Sequence, residues 1–216
     1  MNIALINGSP RAERKSNSAI LLRFLKSKLG NDSPVASYHF NRPGNSEYFQ
    51  ELCGMDTLVL SFPLYADAIP SHFFQIMVEF AAYRNRANLQ QEILVYVLMN
   101  NGFYEGRQCN TALRIVRNWC RRAGLVYAQG AATGAGETLG FLKQTPLGHG
   151  PLGNLGKAVT ALALNIIERK KGDDILFSPN MPRSFWQFMA NRVFWLPAAK
   201  KNGLNRKDIY RATAPE

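Results

Sequence analysis

Short apolar runs alternate with stretches of helical periodicity along most of this chain, and this alternation constrains the fold more than any other feature. The apolar runs predict buried β-strands at residues 3–6, 35–40, 57–62, 93–99 and 125–131. Between the runs, apolar side chains recur three or four residues apart, which predicts amphipathic helices. Five strands that alternate with helices in this way predict a parallel sheet covered on both faces.

The alternation ends near residue 171, so we expect two segments. Residues 1–171 form the predicted α/β domain with a five-stranded parallel sheet, and residues 172–216 form a C-terminal helical extension. Within the domain, residues 133–156 form a long glycine-rich loop, and loops of this length in compact domains are usually functional or mobile. Within the extension, residues 182–201 predict a helix that is heavily apolar and flanked by basic side chains.

The net charge is +11, with a sequence pI near 9.8. Such an excess of positive charge is compatible with binding to a nucleic acid, a membrane surface or an anionic cofactor. The basic residues lie in scattered short groups rather than in one stripe, which argues against a nucleic-acid partner. Residues 181–216 hold seven Lys and Arg residues against two Asp and Glu residues, so this part of the extension carries nearly half of the net charge.

Other features of the sequence limit the cellular compartment and the kinds of site that we expect. The first residues lack the basic segment of a secretory signal, so we expect a cytoplasmic protein. No apolar run approaches the roughly 20 residues that span a bilayer. Cys53, Cys109 and Cys120 are odd in number and far apart, which argues against a disulfide framework and against a metal site.

A polar loop follows the first predicted strand at residues 8–18. It offers the hydroxyls of Ser9, Ser16 and Ser18, the Asn17 amide and the N-terminus of the next helix, which together suit a phosphate. Charge-assisted hydrogen bonds contribute about 1.5–3 kcal/mol each and the helix dipole only about 0.3–1 kcal/mol, so the donors matter more. The alternative is that Ser16 or Asn17 only caps the helix and the arginines are solvated.

Two further loops leave the same edge of the predicted sheet. Pro63, Tyr65 and Pro70 follow the third strand and predict a stiff ledge that can hold a flat ring; the alternative is a surface turn with Tyr65 packed sideways. Residues 100–105 follow the fourth strand and are polar and aromatic. Because parallel strands place their carboxyl ends on one edge, where α/β proteins bind ligands, we expect the three loops to form one site.

The motif Gly-Ser-Pro-Arg at residues 8–11, followed by Ser16-Asn17-Ser18, resembles the phosphate loop of the flavodoxin-like NADPH-dependent FMN reductase family. Residues 63–70, with the pattern P-x-Y-x-x-x-x-P, resemble its second flavin loop, and residues 101–105 resemble the third flavin loop of its bacterial members. The resemblance covers residues 1–170. It implies a flavodoxin-like three-layer sandwich, FMN as cofactor and NADPH or NADH as co-substrate.

The resemblance also implies which residues contact FMN. The phosphate ligands would be Ser9, Arg11, Ser16, Asn17 and Ser18. The residues lining the isoalloxazine would be Pro63, Leu64, Tyr65, Ala66 and Asp67, with Asn101, Gly102 and Tyr104 closing the site. The chain departs from the family in having Phe73-Phe74 where a lysine is common, and it lacks the Cys-x-x-Cys cluster of related iron–sulfur flavoproteins.

The implied activity passes hydride from a nicotinamide to the flavin and onward to a small-molecule acceptor such as a quinone or free flavin. No side-chain acid or base is required for that step, so no catalytic residue is predicted. The alternative is a flavodoxin-like electron carrier or binding module that does not itself oxidise NAD(P)H. The family further implies a homodimer. The helix over 182–201 would then pack on its own domain or on the partner subunit, and we favour both over contact with a membrane surface.

Overall fold

A six-stranded, all-parallel sheet with the order β2-β1-β3-β4-β5-β6 forms the centre of the structure. The computed structural model of the protein describes residues 1–30 and 33–211. The strands are Ile3–Asn7 (β1), Val35–His39 (β2), Thr57–Ser61 (β3), Leu94–Asn100 (β4), Val126–Thr133 (β5) and Ile175–Phe177 (β6). The order of the first five strands is the flavodoxin-like one.

Helices cover both faces of the sheet. They are Asn17–Lys26 (α1), Phe49–Cys53 (α2), Ser71–Arg86 (α3), Asn110–Arg122 (α4) and Gly153–Ile167 (α5). Residues of α2, α3 and α4 share one apolar core, and those of α1 and α5 share the other. Along β1, Ala4 and Ile6 enter the first core while Ile3 and Leu5 enter the second, as the period of two in a strand requires. The predicted three-layer arrangement is therefore present.

The prediction of five strands was wrong, because β6 adds a sixth at the edge of the sheet. Its residues Ile175, Leu176 and Phe177 pair in parallel with Ala131, Ala132 and Thr133 of β5. A strand of three half-buried residues is too short to show a period of two. Its place depends on contacts with residues more than 40 positions earlier in the chain, which local sequence patterns do not report.

The carboxylate of Asp174 fixes the start of β6. Its Oδ1 accepts hydrogen bonds from the Tyr127 hydroxyl at 2.6 Å and the Gly130 amide at 2.8 Å, and its Oδ2 accepts one from Arg117 Nη2 at 2.8 Å. The Arg117 guanidinium also lies over the Tyr127 ring, 4.7 Å from its centroid. Burial, reinforced by the neighbouring Asp174 carboxylate, raises the pKa of Tyr127, so the hydroxyl stays a donor.

The chain divides into two compact units, Met1–Asn180 and Met181–Glu216. The sequence placed this boundary after residue 171, and β6 lies between the two positions. In the second unit, Arg183–Ala190 (α6) continues through a π-helical turn, Asn191–Trp195, into Leu196–Lys201 (α7). The last five residues of the predicted extension, 212–216, lie outside the described residues. Within the described ranges, no helix is both long enough and apolar enough to cross a membrane.

Replacing Asp174 with asparagine should weaken the attachment of β6. The amide nitrogen of asparagine cannot accept a hydrogen bond, and bonds that involve a charged group contribute about 1.5–3 kcal/mol. We expect the free energy of unfolding of Asp174→Asn, measured by urea denaturation, to fall by about 2 kcal/mol. Asp173→Asn, at the exposed neighbouring position, is the control and should change little. Equal losses in the two variants would contradict the assigned role of Asp174.

Candidate active site at the carboxyl edge of the sheet

The loops that carry the predicted site residues leave the carboxyl ends of β1, β3 and β4, which adjoin in the sheet. The chain crosses from β1 outward to β2 and then returns to β3 on the other side of β1. Order reversals of this kind open a crevice at the carboxyl ends of the strands, and α/β proteins bind ligands there. All thirteen predicted site residues therefore belong to this edge.

The side chain of Asn7, the last residue of β1, organises the first loop. Its Oδ1 accepts hydrogen bonds from the Ser9 amide at 3.1 Å and from the Ser16 hydroxyl at 3.3 Å. Ser16 Oγ in turn accepts the Ala19 amide at 3.2 Å, so Ser16 is the N-cap of α1. Of the two candidates for the N-cap, Ser16 has this role. The buried Asn7 side chain holds the loop near both of its ends, at Ser9 and at Ser16.

Two histidines also hold backbone carbonyls in or beside the first loop, although neither stood out in the sequence. His39, at the end of β2, donates from Nε2 to the Ser9 carbonyl at 3.1 Å. His72, at the start of α3, donates from Nε2 to the Phe40 carbonyl at 3.1 Å. Burial lowers the pKa of His72, which favours the neutral ring at physiological pH. No local motif joins these residues to the loop, since the contact of His39 spans 30 positions.

Several buried polar atoms at this edge have no hydrogen-bond partner among the residues that the structure describes. They are Asn7 Nδ2, Ser18 Oγ, Asn100 Nδ2 and Asn101 Oδ1. An unsatisfied buried polar group costs about 1–3 kcal/mol, so native proteins keep such groups mainly where a ligand, an ion or water completes them. The four atoms come from the ends of β1 and β4 and the first turn of α1, so they flank the predicted phosphate and flavin loops. This arrangement fits a polar ligand.

The second loop is a tight turn in a strained conformation. The amides of Tyr65 and Ala68 each donate to the carbonyl of the other at 3.0 Å. Between them, Ala66 and Asp67 have φ angles of 46° and 65°, the left-handed pair of a type I′ turn. Aspartate tolerates this left-handed region better than alanine does, so the strain of the turn lies mainly at Ala66.

The ledge predicted from the sequence is attached to the sheet through its main chain. The Leu64 amide donates to the Asn100 carbonyl at 2.8 Å, and Pro63 forms a parallel bridge with Asn100. The Leu64 side chain is buried in the core, so only its backbone faces the edge. Tyr65, by contrast, is 44% exposed, which leaves its ring available to a ligand.

The third loop depends on Asn101, which is buried. Its Nδ2 donates to the Glu105 carbonyl at 3.0 Å and to Cys109 Sγ at 3.2 Å, while its backbone amide donates to the Thr133 carbonyl at 3.1 Å. Gly102 is exposed and Tyr104 is half-buried. Burial raises the pKa of the Cys109 thiol to about 11, against the opposing hydrogen bond from Asn101. Cys109 is thus a neutral, unreactive thiol.

A fourth loop, after β5, belongs to the same edge and did not appear among the predicted site residues. The Gly136 amide donates to the Asn101 carbonyl at 2.7 Å, and a 3₁₀ turn follows at Gly136–Gly140. A Cβ added at Gly134 would overlap the Tyr104 carbonyl, so only glycine fits there. The turn carries Glu137, which lies 3.9 Å from the Arg11 guanidinium. The sequence indicated only a long glycine-rich loop, because the partner of Glu137 lies far away in the chain.

Comparisons place this geometry among known structures. No protein-family model matches the chain. No curated protein matches it either. An NADPH-quinone reductase from P. pentosaceus aligns over 77% of this chain and 98% of its own at 16% identity, with a TM-score of 0.57. An NADH:FMN oxidoreductase in its apo form aligns over 76% of this chain and 89% of its own at 16% identity, with a TM-score of 0.54.

A flavone reductase aligns over 100% of both chains at 12% identity, with a TM-score of 0.57. The likeness establishes the fold. This chain therefore has the flavodoxin-like α/β fold that these three reductases share.

Relieving the strained turn of the second loop should stabilise the protein. Asparagine tolerates the left-handed region better than alanine and, unlike glycine, adds little freedom to the unfolded chain. We expect Ala66→Asn to raise the free energy of unfolding by about 0.5–1 kcal/mol in urea denaturation. Ala68→Asn, in the same turn but without a positive φ, should give no gain. A gain in Ala68→Asn alone would contradict the assignment of strain to Ala66.

Proposed function

We propose that this protein is an FMN-binding NAD(P)H-dependent oxidoreductase that passes electrons from a nicotinamide to a small-molecule acceptor such as a quinone or free flavin. The observation that carries the proposal is the set of buried, unpartnered polar atoms at the carboxyl edge of a flavodoxin-like sheet. Two of the structural neighbours, a quinone reductase and an FMN oxidoreductase, are named for chemistry of this kind and support it.

The first loop would hold the FMN phosphate. Its ligands would come from Ser9, Arg11, Ser16, Asn17 and Ser18. Ser18 Oγ is a buried hydroxyl without a partner in the first turn of α1, where backbone amides and the helix dipole favour an anion. Arg11 is exposed on the same loop and adds a mobile positive charge. These donors fit a phosphate group.

The second and third loops would hold the ring. The contact residues would be Pro63, Leu64, Tyr65, Ala66 and Asp67, with Asn101, Gly102 and Tyr104 on the opposite side. The type I′ turn places the backbone of Ala66 and Asp67 at its tip at the edge of the sheet, and Asn101 Oδ1 is a buried acceptor for a ring N–H. Tyr65 and Tyr104 would shape the ring pocket rather than move protons.

When bound, FMN supplies the hydride and electron chemistry, and the protein supplies position and electrostatics. This division requires no acid or base from the chain. The neutral Cys109 thiol beside Asn101 agrees with it, because a thiol whose pKa is about 11 is neither a nucleophile nor a general base at neutral pH. A homodimer, a cytoplasmic location and the absence of a nucleic-acid partner remain predictions from the sequence.

The test of this function is spectroscopic. We expect FMN added to the purified protein to bind at equilibrium, seen as a shift of the flavin absorbance band that saturates in a titration. Mixing with NADH and then with NADPH in a stopped-flow instrument should bleach the band. Bound flavin that neither nicotinamide reduces would instead support an electron carrier. Protein that binds no FMN in this titration would contradict both functions.

Ser18→Ala separates a ligand role from a structural role. Because Ser18 Oγ is buried without a partner, removing it from the FMN-free protein should leave stability unchanged or slightly raised. Losing a hydrogen bond to a phosphate should weaken FMN binding about tenfold or more. Thermal unfolding without FMN and fluorescence titration with FMN provide the two measurements. Unchanged FMN affinity would remove Ser18 from the phosphate site.

A further inference from the structure

The fourth loop carries a carboxylate that faces the predicted phosphate site. Glu137 lies in the turn Gly136–Gly140, which is held in place from both sides. Leu139 of this turn is buried in the same apolar core as α1, and the Gly136 amide donates to the Asn101 carbonyl. Ala135, just before the turn, has a positive φ of 52°. The backbone at Glu137 is therefore fixed, and only its side chain is free to move.

Glu137 forms an ion pair with the arginine of the first loop. Its Oε1 lies 3.9 Å from Arg11 Nη2, and both side chains are half exposed, at 51% and 50%. Both can therefore rotate, and solvent screens their attraction. The Arg11 backbone is less free, because its amide donates to Ser9 Oγ at 3.3 Å. The pair thus joins the loops after β1 and β5 across the predicted phosphate site.

A carboxylate here opposes the binding of a second anion. Around the first loop, Arg11, Arg14 and Lys15 supply positive charge, while Glu13 and Glu137 subtract from it. A phosphate dianion that reaches the loop gains charge-assisted hydrogen bonds from Arg11, which are stronger than a screened surface pair. To gain them it must break the contact with Glu137, and it then lies close to a carboxylate of like charge. Both effects weaken phosphate binding.

We propose that Glu137 is an internal counter-ion for Arg11 that the FMN phosphate must displace, and that it keeps the flavin exchangeable rather than permanently bound. The inference rests on the proposed function and deepens it, because it concerns how tightly the same site holds its cofactor. Glu137 is a positioning residue, since it acts on the phosphate chiefly through Arg11. A flavin that exchanges readily suits a protein whose electron acceptors include free flavin.

The first test is a fluorescence titration of the full-length chain, freed of flavin, with FMN and with riboflavin, which lacks the phosphate. Glu137→Gln should bind FMN about fivefold more tightly than wild type and should bind riboflavin with unchanged affinity. The matched control is Glu92→Gln. Glu92 forms an equally loose pair with Arg169, also at 3.9 Å, but it precedes β4 and lies at the opposite edge of the sheet. Glu92→Gln should change neither affinity.

A double-mutant cycle tests the route through Arg11. Arg11→Gln should weaken FMN binding about tenfold. In the Arg11→Gln background, most of the gain from Glu137→Gln should disappear, because there is no longer an ion pair for the phosphate to displace. Off-rates measured by competition with excess riboflavin should show slower FMN release from Glu137→Gln than from wild type.

Three results would overturn the inference alone: FMN binding by wild type that Glu137→Gln does not tighten, an equal gain for riboflavin, or the full gain in the Arg11→Gln background. Absence of FMN binding by wild type and by every variant would overturn the proposed function, and this inference with it. The failures of the two proposals are therefore distinguishable.

Discussion

The parallel pairing of β1 with β2 on one side and β3 on the other is the constraint on which the rest of the structure depends. Parallel neighbours require crossover connections, so every helix between them must return over a face of the sheet. The strands are then buried on both faces, and successive residues of β1 accordingly enter one apolar core and then the other. The same constraint sends the loops after β1, β3, β4 and β5 to one edge, whatever their sequences.

Polar groups at that edge are arranged around one buried side chain. Asn7 ends a strand whose other residues are apolar, and its carboxamide holds the first loop through Ser9 and Ser16. An amide has four hydrogen-bonding positions, and Nδ2 of Asn7 remains unpaired, as does Oδ1 of Asn101. Stability alone would favour apolar residues or complete pairing at such positions. The incomplete pairing is the observation from which we propose a ligand site at this edge.

Local patterns predicted most of the fold and much of the candidate site. Apolar runs and helical spacing located five strands and the helices between them, because each element buries a face whose period its own residues set. The loops at residues 8–18 and 63–70 stood out because Ser, Asn and Pro have strong local preferences for caps and turns. Their place at one edge followed from the handedness of crossovers. The fold class was thus accessible before any contact was known.

Other features escaped the sequence because they rest on distant contacts. β6 has three residues and is held by Asp174 through Tyr127 and Arg117, which belong to other elements. His39 contacts Ser9, 30 positions earlier in the chain. Glu137 follows β5 and contacts Arg11, which follows β1. In the sequence, each of these residues looks like an ordinary solvated or turn residue. Their partners define their roles, and only the packed sheet brings the partners within reach.

By itself, the sequence determined the alternation of strands and helices, the polar loops at the strand ends and the excess of positive charge. These properties arise from neighbouring residues, whose side-chain chemistry and spacing act over a few positions. The tertiary structure alone decided the sixth strand, the unpaired amide and hydroxyl atoms and the carboxylate beside Arg11. Those depend on which atoms lie within about 3–4 Å of one another, and residues far apart in the chain reach that range only once the sheet has formed.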